Sequence, residues 1–334
     1  MSGDRRRNWW WSALTVCWGV LVCASVAAQR VPQGQWVYCV KFSPDGKQIL
    51  SGGAGRRIQL WDVKTGRELQ SFSHPGWLHT VAFSPDGKRC LSGTRNRTMR
   101  LWDLVTGKML REFNHRAWVE TVLFLPDGKR CISVGGDDKG KGEAAARVWD
   151  LETGRELRTF KIEASAAGKH GNWLNAASLS ADGKTLAGAG PVTTLWNVET
   201  GEVAKKLPGH TPFTWEVALS PDGETCVTAG GDSNLIRVIR VKDGRVVRTI
   251  RETTQIRSLA ISPDGKLFAA GVLRGTITFY SLRTGKRRGS IKAHGFIVSS
   301  LDFSPDGKLL VSGSFDGTMK LWNVRTGGLI RTIR

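Results

Sequence analysis

Seven times between Trp36 and Arg334 the chain repeats one pattern: an apolar run, a Pro-Asp-Gly or Ala-Asp-Gly turn, a Gly-containing stretch, a Trp-Asp-like pair and, in most copies, Thr-Gly. The turn glycines are Gly46, Gly87, Gly128, Gly183, Gly223, Gly265 and Gly307, so successive steps are 41, 41, 55, 40, 42 and 42 residues. A fixed period of that size means an array whose units bury one another's faces. The 334 residues are therefore expected to hold one large domain rather than two.

The repeat at residues 77–113 shows what each unit folds into. Thr80 to Ser84 is β-branched and apolar, and Pro85-Asp86-Gly87 supplies a preset φ, a side-chain acceptor and a residue free to take φ > 0. A second strand, Arg89 to Ser92, ends at Gly93; a third, Thr98 to Asp103, ends at Thr106-Gly107; a fourth runs from Lys108 to Phe113. Each unit is thus a four-stranded antiparallel meander, apolar on both faces and unable to stand alone.

These motifs resemble the WD40 family over residues 33–334. The family dipeptide stands as Trp61-Asp62, Trp102-Asp103, Trp149-Asp150, Trp196-Asn197 and Trp322-Asn323, while repeats five and six carry Ile239-Arg240 and Tyr280-Ser281. The resemblance implies an all-β, seven-bladed β-propeller with four antiparallel strands per blade. The blades approximate to residues 36–73, 77–114, 118–160, 173–208, 213–250, 255–291 and 297–334. It also implies that Gln33, His74, His115, His170, His210, Glu252 and His294 share one slot, which in the family belongs to a hydrogen-bonded structural tetrad. Only repeat seven carries the whole set, as His294, Ser312 (or Ser314), Asp316 and Trp322. Five of the six histidines are therefore framework, and His79 stands off register.

The seventh repeat has its own fourth strand, Leu329 to Ile333, so the ring is expected to close by packing, without a shared N-terminal strand. Near the end of each first strand one position reads Lys41, Ala82, Leu123, Ser178, Ala218, Ala260 and Asp302. Its two charges fall on the blades that the ring makes neighbours, which predicts a Lys41 to Asp302 pair at the seam.

Residues 1–28 are of another kind. Arg5 to Arg7 precede an uncharged stretch from Trp9 to Ala28 that closes on small residues, the pattern of an export signal. Left uncleaved, residues 9–28 would instead anchor the chain in a membrane. Either way the propeller, reached through a short linker at 29–35, is expected outside the cytoplasm, periplasmic or extracellular. Cys39, Cys90, Cys131 and Cys226 read as buried hydrophobes rather than disulfide partners.

Function is expected on one face. The Asp-Gly and Thr-Gly turns are short and alike, which makes theirs the plain face. The step of 55 carries two insertions on the opposite face, in 135–146 and 161–169. That face also receives Trp36, Trp77, Trp118, Trp173 and Phe213, three residues after the shared slot, with Gln255 and Ile297 completing the set. Arg57, Arg95, Arg97 and Arg274 from neighbouring turns, with Lys139 and Lys141 of the first insertion, complete a candidate binding surface.

The net charge is +20, and +18 without residues 1–28, where Arg5, Arg6 and Arg7 outweigh Asp4. Such a field favours anionic partners. The first reading is a non-catalytic, monomeric binding or scaffolding propeller for a protein or peptide of acidic character. The alternative is charge-driven binding of an anionic polymer or a membrane surface. Export and the lack of a basic helix argue against nucleic acid. An enzyme is the weakest reading, because no nucleophile elbow, Cys-x-x-Cys or phosphate-cradling loop is present. Asp137, Asp138 and Glu143 are offset by Lys139 and Lys141, so neither metal nor cofactor is expected.

Overall fold

The computed structural model describes residues 35–115, 117–136, 145–161, 174–210, 213–230 and 234–334, with only the backbone of Ala145 and Lys161. The expected export segment and all of the linker but Gln35 lie outside the described residues. So do most of both insertions.

Among the described residues, twenty-eight strands form seven four-stranded antiparallel sheets, each from four consecutive strands. Blade one is Val37–Phe42, Gln48–Gly53, Arg57–Asp62 and Glu68–Ser73; blade seven is Val298–Phe303, Leu309–Ser314, Met319–Asn323 and Leu329–Ile333. The chain is thus a seven-bladed β-propeller in which the last blade completes itself. First strands of neighbouring blades lie side by side around the ring, including blade seven beside blade one.

Local chemistry explains why the turns recur. In blade one the Asp45 carboxylate accepts the Ser43 hydroxyl at 2.6 Å and the Lys47 amide at 3.0 Å, while Ser43 Oγ accepts the Gln48 amide at 2.9 Å. Gly46 then takes φ of 71°, which favours glycine. At the other end of the third strand, Asp62 accepts both the amide and the hydroxyl of Thr65 at 2.6 and 2.7 Å. Blades five and six lack the Trp-Asp pair but close the same turn differently. Arg240 bonds the Asp243 carboxylate at 2.6 Å, and Ser281 Oγ accepts the Thr284 amide at 3.3 Å.

The core lies between blades rather than within them. One cluster joins Leu50, Ile58, Leu60 and Phe72 of blade one to Leu78, Val81 and Trp102 of blade two. Another joins Val311, Met319, Leu321 and Ile333 of blade seven to Val40, Ile49 and Trp61 of blade one, so the seam carries the same dry packing as any other interface. The four cysteines of the propeller are buried free thiols, and burial raises all four, Cys39 and Cys226 to about 12.

At the seam, Lys41 Nζ stands 3.1 Å from Asp302 Oδ1, and Asp302 Oδ2 accepts the Phe42 amide at 2.8 Å. Ser178 plays the second part between blades four and five, accepting the Leu219 amide at 3.0 Å. The lysine side chain is 44 % exposed, so the ion pair itself contributes little and the bond to the backbone contributes more. Asp302→Ala should therefore lower unfolding free energy by about 2 kcal/mol in urea titration. Asp302→Ser, which copies Ser178, should recover about half of the loss. Equal stability of the alanine variant and the parent would show that the seam does not depend on this bond.

Candidate functional site

The face opposite the Asp-Gly turns gathers a continuous aromatic surface across blades seven, one and two. A bulge between Val37 and Cys39 lets the Trp36 carbonyl accept the Ala54 amide at 3.0 Å, which fixes the entry of the first strand. Trp36 stacks on Phe315 with centroids 4.7 Å apart and planes 2° apart. Tyr38 meets Phe315 edge-on at 5.0 Å and stacks on His79 at 4.8 Å, with Trp77 beyond at 6.4 Å. Trp77 is 40 % exposed, the most open of the large aromatics among the described residues.

From a turn of blade two the Arg95 guanidinium lies 4.6 Å over the Trp118 ring of blade three and donates to Glu120 Oε1 at 3.0 Å. The other Glu120 oxygen is 3.4 Å from His79 Nδ1. Burial by itself would raise this carboxyl, but Arg95 and His79 outweigh it and hold it at about 2. Burial keeps His79 below its ordinary value. Across the ring Phe213 meets Trp215 edge-on at 4.9 Å, and Arg257 lies 4.9 Å over Trp215.

Deeper in the channel, Lys41 and Glu216 face each other's charge from blades one and five. Burial on the channel wall nevertheless pushes the Glu216 carboxyl up to about 8.

The predicted residues fall into separate groups. Trp36, Trp77 and Trp118 lie on the channel mouth, with Arg95 locked to Trp118. Arg95 alone of the four arginines contacts an aromatic ring among the described residues. Arg57 is tied to the Ser71 hydroxyl, Arg97 is exposed at φ of 63°, and Arg274 is exposed while its carbonyl accepts the Lys292 ammonium. Ile297 is buried. Trp173, Lys139 and Lys141 lie outside the described residues, as do Gln33 and His170.

The shared slot is internal scaffolding. His294 Nε2 meets Ser312 Oγ at 2.7 Å, Nδ1 meets Asp316 at 3.0 Å, and Trp322 Nε1 donates to the same Ser312 hydroxyl at 2.9 Å. Ser312, not Ser314, is the strand hydroxyl of the set. Burial alone would raise Asp316, but hydrogen bonds from His294 and Thr318 hold it far below the usual carboxylate range. Other blades substitute. His115 Nε2 accepts from buried Arg147 at 2.9 Å, His210 Nε2 meets Thr228 at 3.0 Å, and Glu252 accepts the Tyr280 hydroxyl at 2.6 Å where His and Trp would stand. Among the described residues no group of three or more His, Cys, Asp or Glu could hold a metal ion.

Sequence reasoning missed Tyr38, Glu120, Trp215 and Arg257, and gave His79 no partner. All stand two residues after the aromatic slot, where the seven copies differ. That variation at a constant position was itself the available signal.

Family comparison agrees with this architecture. The profile described as "WD domain, G-beta repeat" matches residues 28–62, 66–103 and 285–323, and that of the "Anaphase-promoting complex subunit 4 WD40 domain" matches 217–297. The chain is similar to WD repeat-containing protein SL1-17 of Schistosoma mansoni, 35 % identical over 33 % of this chain and 34 % of that one. It is similar to eukaryotic translation initiation factor 3 subunit I of Candida albicans, 34 % identical over 23 % of this chain and 21 % of that one. A WD repeat-containing protein of Synechocystis is 34 % identical over 29 % of this chain and 28 % of its own. The matched segments thus span about a third or less of these relatives' length.

Proposed function

Because this chain belongs to the WD40-repeat family, we propose that it is a non-catalytic protein-interaction propeller whose channel mouth, beside the blade three and four insertions, receives a protein or peptide of acidic character. The observation that carries the reading is the aromatic surface from Phe315 through Trp36 and Tyr38 to Trp77, bordered by Arg95 over Trp118. Rigid aromatics and arginine are the groups that supply most binding energy at interfaces. The net charge of +20 supports an acidic partner by steering encounter. A relative named as a subunit of an initiation factor supports a role inside an assembly. The arginine-led apolar segment at 1–28 supports placement outside the cytoplasm.

The test is proximity labelling and recovery of partners from the envelope fraction with the full-length chain. Trp77→Ala, at an exposed position, should leave the unfolding midpoint unchanged and weaken partner recovery by roughly tenfold or more. Removal of 137–142 and 162–168 should weaken it further. Unchanged recovery by both variants would rule out the mouth as the binding surface, and absence of the chain from that fraction would rule out export.

A further inference from the structure

In six of the seven blades, one side chain of the outermost strand reaches sideways to a backbone carbonyl in the third-to-fourth-strand turn of the next blade. Gln70 donates to Val105, Arg111 to Glu152 and Thr153, Arg158 to Val198, Lys205 to Lys242 and Arg248 to Thr284; across the seam Arg331 donates to Lys64. Five of these straps, Gln70 excepted, also lie against the turn glycine: a Cβ on Gly66 would lie 2.4 Å from Arg331, and one on Gly201 would lie 2.6 Å from Arg158.

Among the described residues, blade six has no strap. Gly289 pairs with Phe279 as Gln70 pairs with Leu60 and Arg331 with Leu321, so the register puts glycine at the strap position. A Cβ there would meet nothing within 4 Å, and the turn glycine opposite, Gly327, lies near Ile291 alone. The omission leaves a groove of about 820 Å³ between blades six and seven. Its floor includes Phe279, Ile291 and Val324, and its rim carries Arg288, Lys308 and Arg325. No acidic residue lines it. Lys308 has Asp306 at 3.6 Å, whereas Arg288 and Arg325 form no ion pair among the described residues. The groove opens among the Asp-Gly and Thr-Gly turns, on the side expected to be plain.

We propose that this groove docks an extended acidic peptide, laid along the outer strand Arg287–Lys292, with one bulky apolar side chain in the space that Gly289 leaves. Three features of the site select that occupant. Arg287–Lys292 is the last strand of its sheet, so its outward backbone groups have no ladder partner and can pair with an added strand. The floor is apolar, which rewards a hydrophobic side chain and gives nothing to a purely ionic polymer. Two of the three rim cations, Arg288 and Arg325, form no ion pair among the described residues, which favours carboxylates on either side of that side chain. Among the described residues, blade six alone combines an open edge, an apolar floor and a strap position left empty.

The probe is a synthetic peptide of about eight residues in which Glu alternates with Val around a central Phe, followed by fluorescence anisotropy on the full chain. Gly289→Arg and Gly289→Gln restore the straps of blades two and one. Each should weaken binding by at least about tenfold, with the unfolding midpoint unchanged or raised, since the new side chain enters open space. The peptide with Lys for Glu should not bind. Trp77→Ala should leave peptide affinity unchanged, which separates this groove from the mouth. No binding by the parent protein, equal affinity in the restored-strap variants, or loss only in Trp77→Ala would each overturn the proposal. So would equal competition by polyglutamate, which lacks the apolar group.

Discussion

Moving the protein from pH 7 to pH 4.5 should lower its unfolding free energy by roughly 5 kcal/mol, as much as the whole stability of a marginal domain. The cause is the neutral imidazoles of the shared slot. His74, His115 and His210 are each about 4 % exposed, and burial lowers all three to about 4, against an ordinary 6.5. The unfolded chain therefore binds protons first as pH falls below 6.5. The stability these groups provide is complete above that value and is lost on the way down to 4. At about 1.4 kcal/mol per unit, three groups over two units give about 8 kcal/mol. Glu216 opposes them. Its folded value near 8 lies above the unfolded 4.5, so its contribution is complete below 4.5 and is lost as pH rises to 8. Between 7 and 4.5 it returns about 3 kcal/mol. Urea midpoints at stepped pH check both signs. His210→Asn should remove about a third of the acid slope, and Glu216→Gln should abolish the opposing one. A midpoint flat from pH 7 to 4.5 would falsify this account.

Gly53→Ala should cost at least about 3 kcal/mol and disorganise the channel mouth in the same stroke. The bulged first strand turns the Trp36 carbonyl toward Gly53, where a Cβ would stand 1.9 Å from that oxygen; at Gly135 the distance from the Trp118 oxygen would be 1.6 Å. Both contacts are with backbone, which cannot rotate away. Relief requires the strand entry to shift, and with it the ring that stacks on Phe315 or lies beneath Arg95. Urea unfolding together with the near-ultraviolet tryptophan dichroism reads both effects. Gly295→Ala is the control, because nothing lies within 4 Å of a Cβ there. It should change stability by less than about 0.5 kcal/mol. If Gly53→Ala behaves like that control, the bulge does not position the mouth.

The two predictions rest on parts of the chain that were unequally visible beforehand. The histidine slot was legible because it recurs at one distance from each turn. Asp302 was legible because it and Lys41 are the only charges at their repeat position. Glu120 was not, since nothing in blade three alone says that its carboxylate faces His79 of blade two and Arg95 of the preceding turn. The Glu252–Tyr280 bond was likewise hidden as two departures from the pattern, which only together make a substitute for His and Trp. Gly289 stands as far beyond its turn glycine, Gly285, as Gln70 stands beyond Gly66 and Arg331 beyond Gly327, but it was hidden because it acts through a side chain that is missing.

What the sequence determined by itself was everything that repeats within one blade. Turn chemistry, strand order and the number of units follow from hydrogen bonds between residues a few positions apart, and seven copies of the same local solution leave only a ring. The tertiary structure decided what happens between blades. There the contacting residues are about 40 positions apart, or about 260 at the seam, and which side chains share a surface depends on the angle at which one sheet meets the next. The aromatic mouth and the strap-free groove are both products of that meeting.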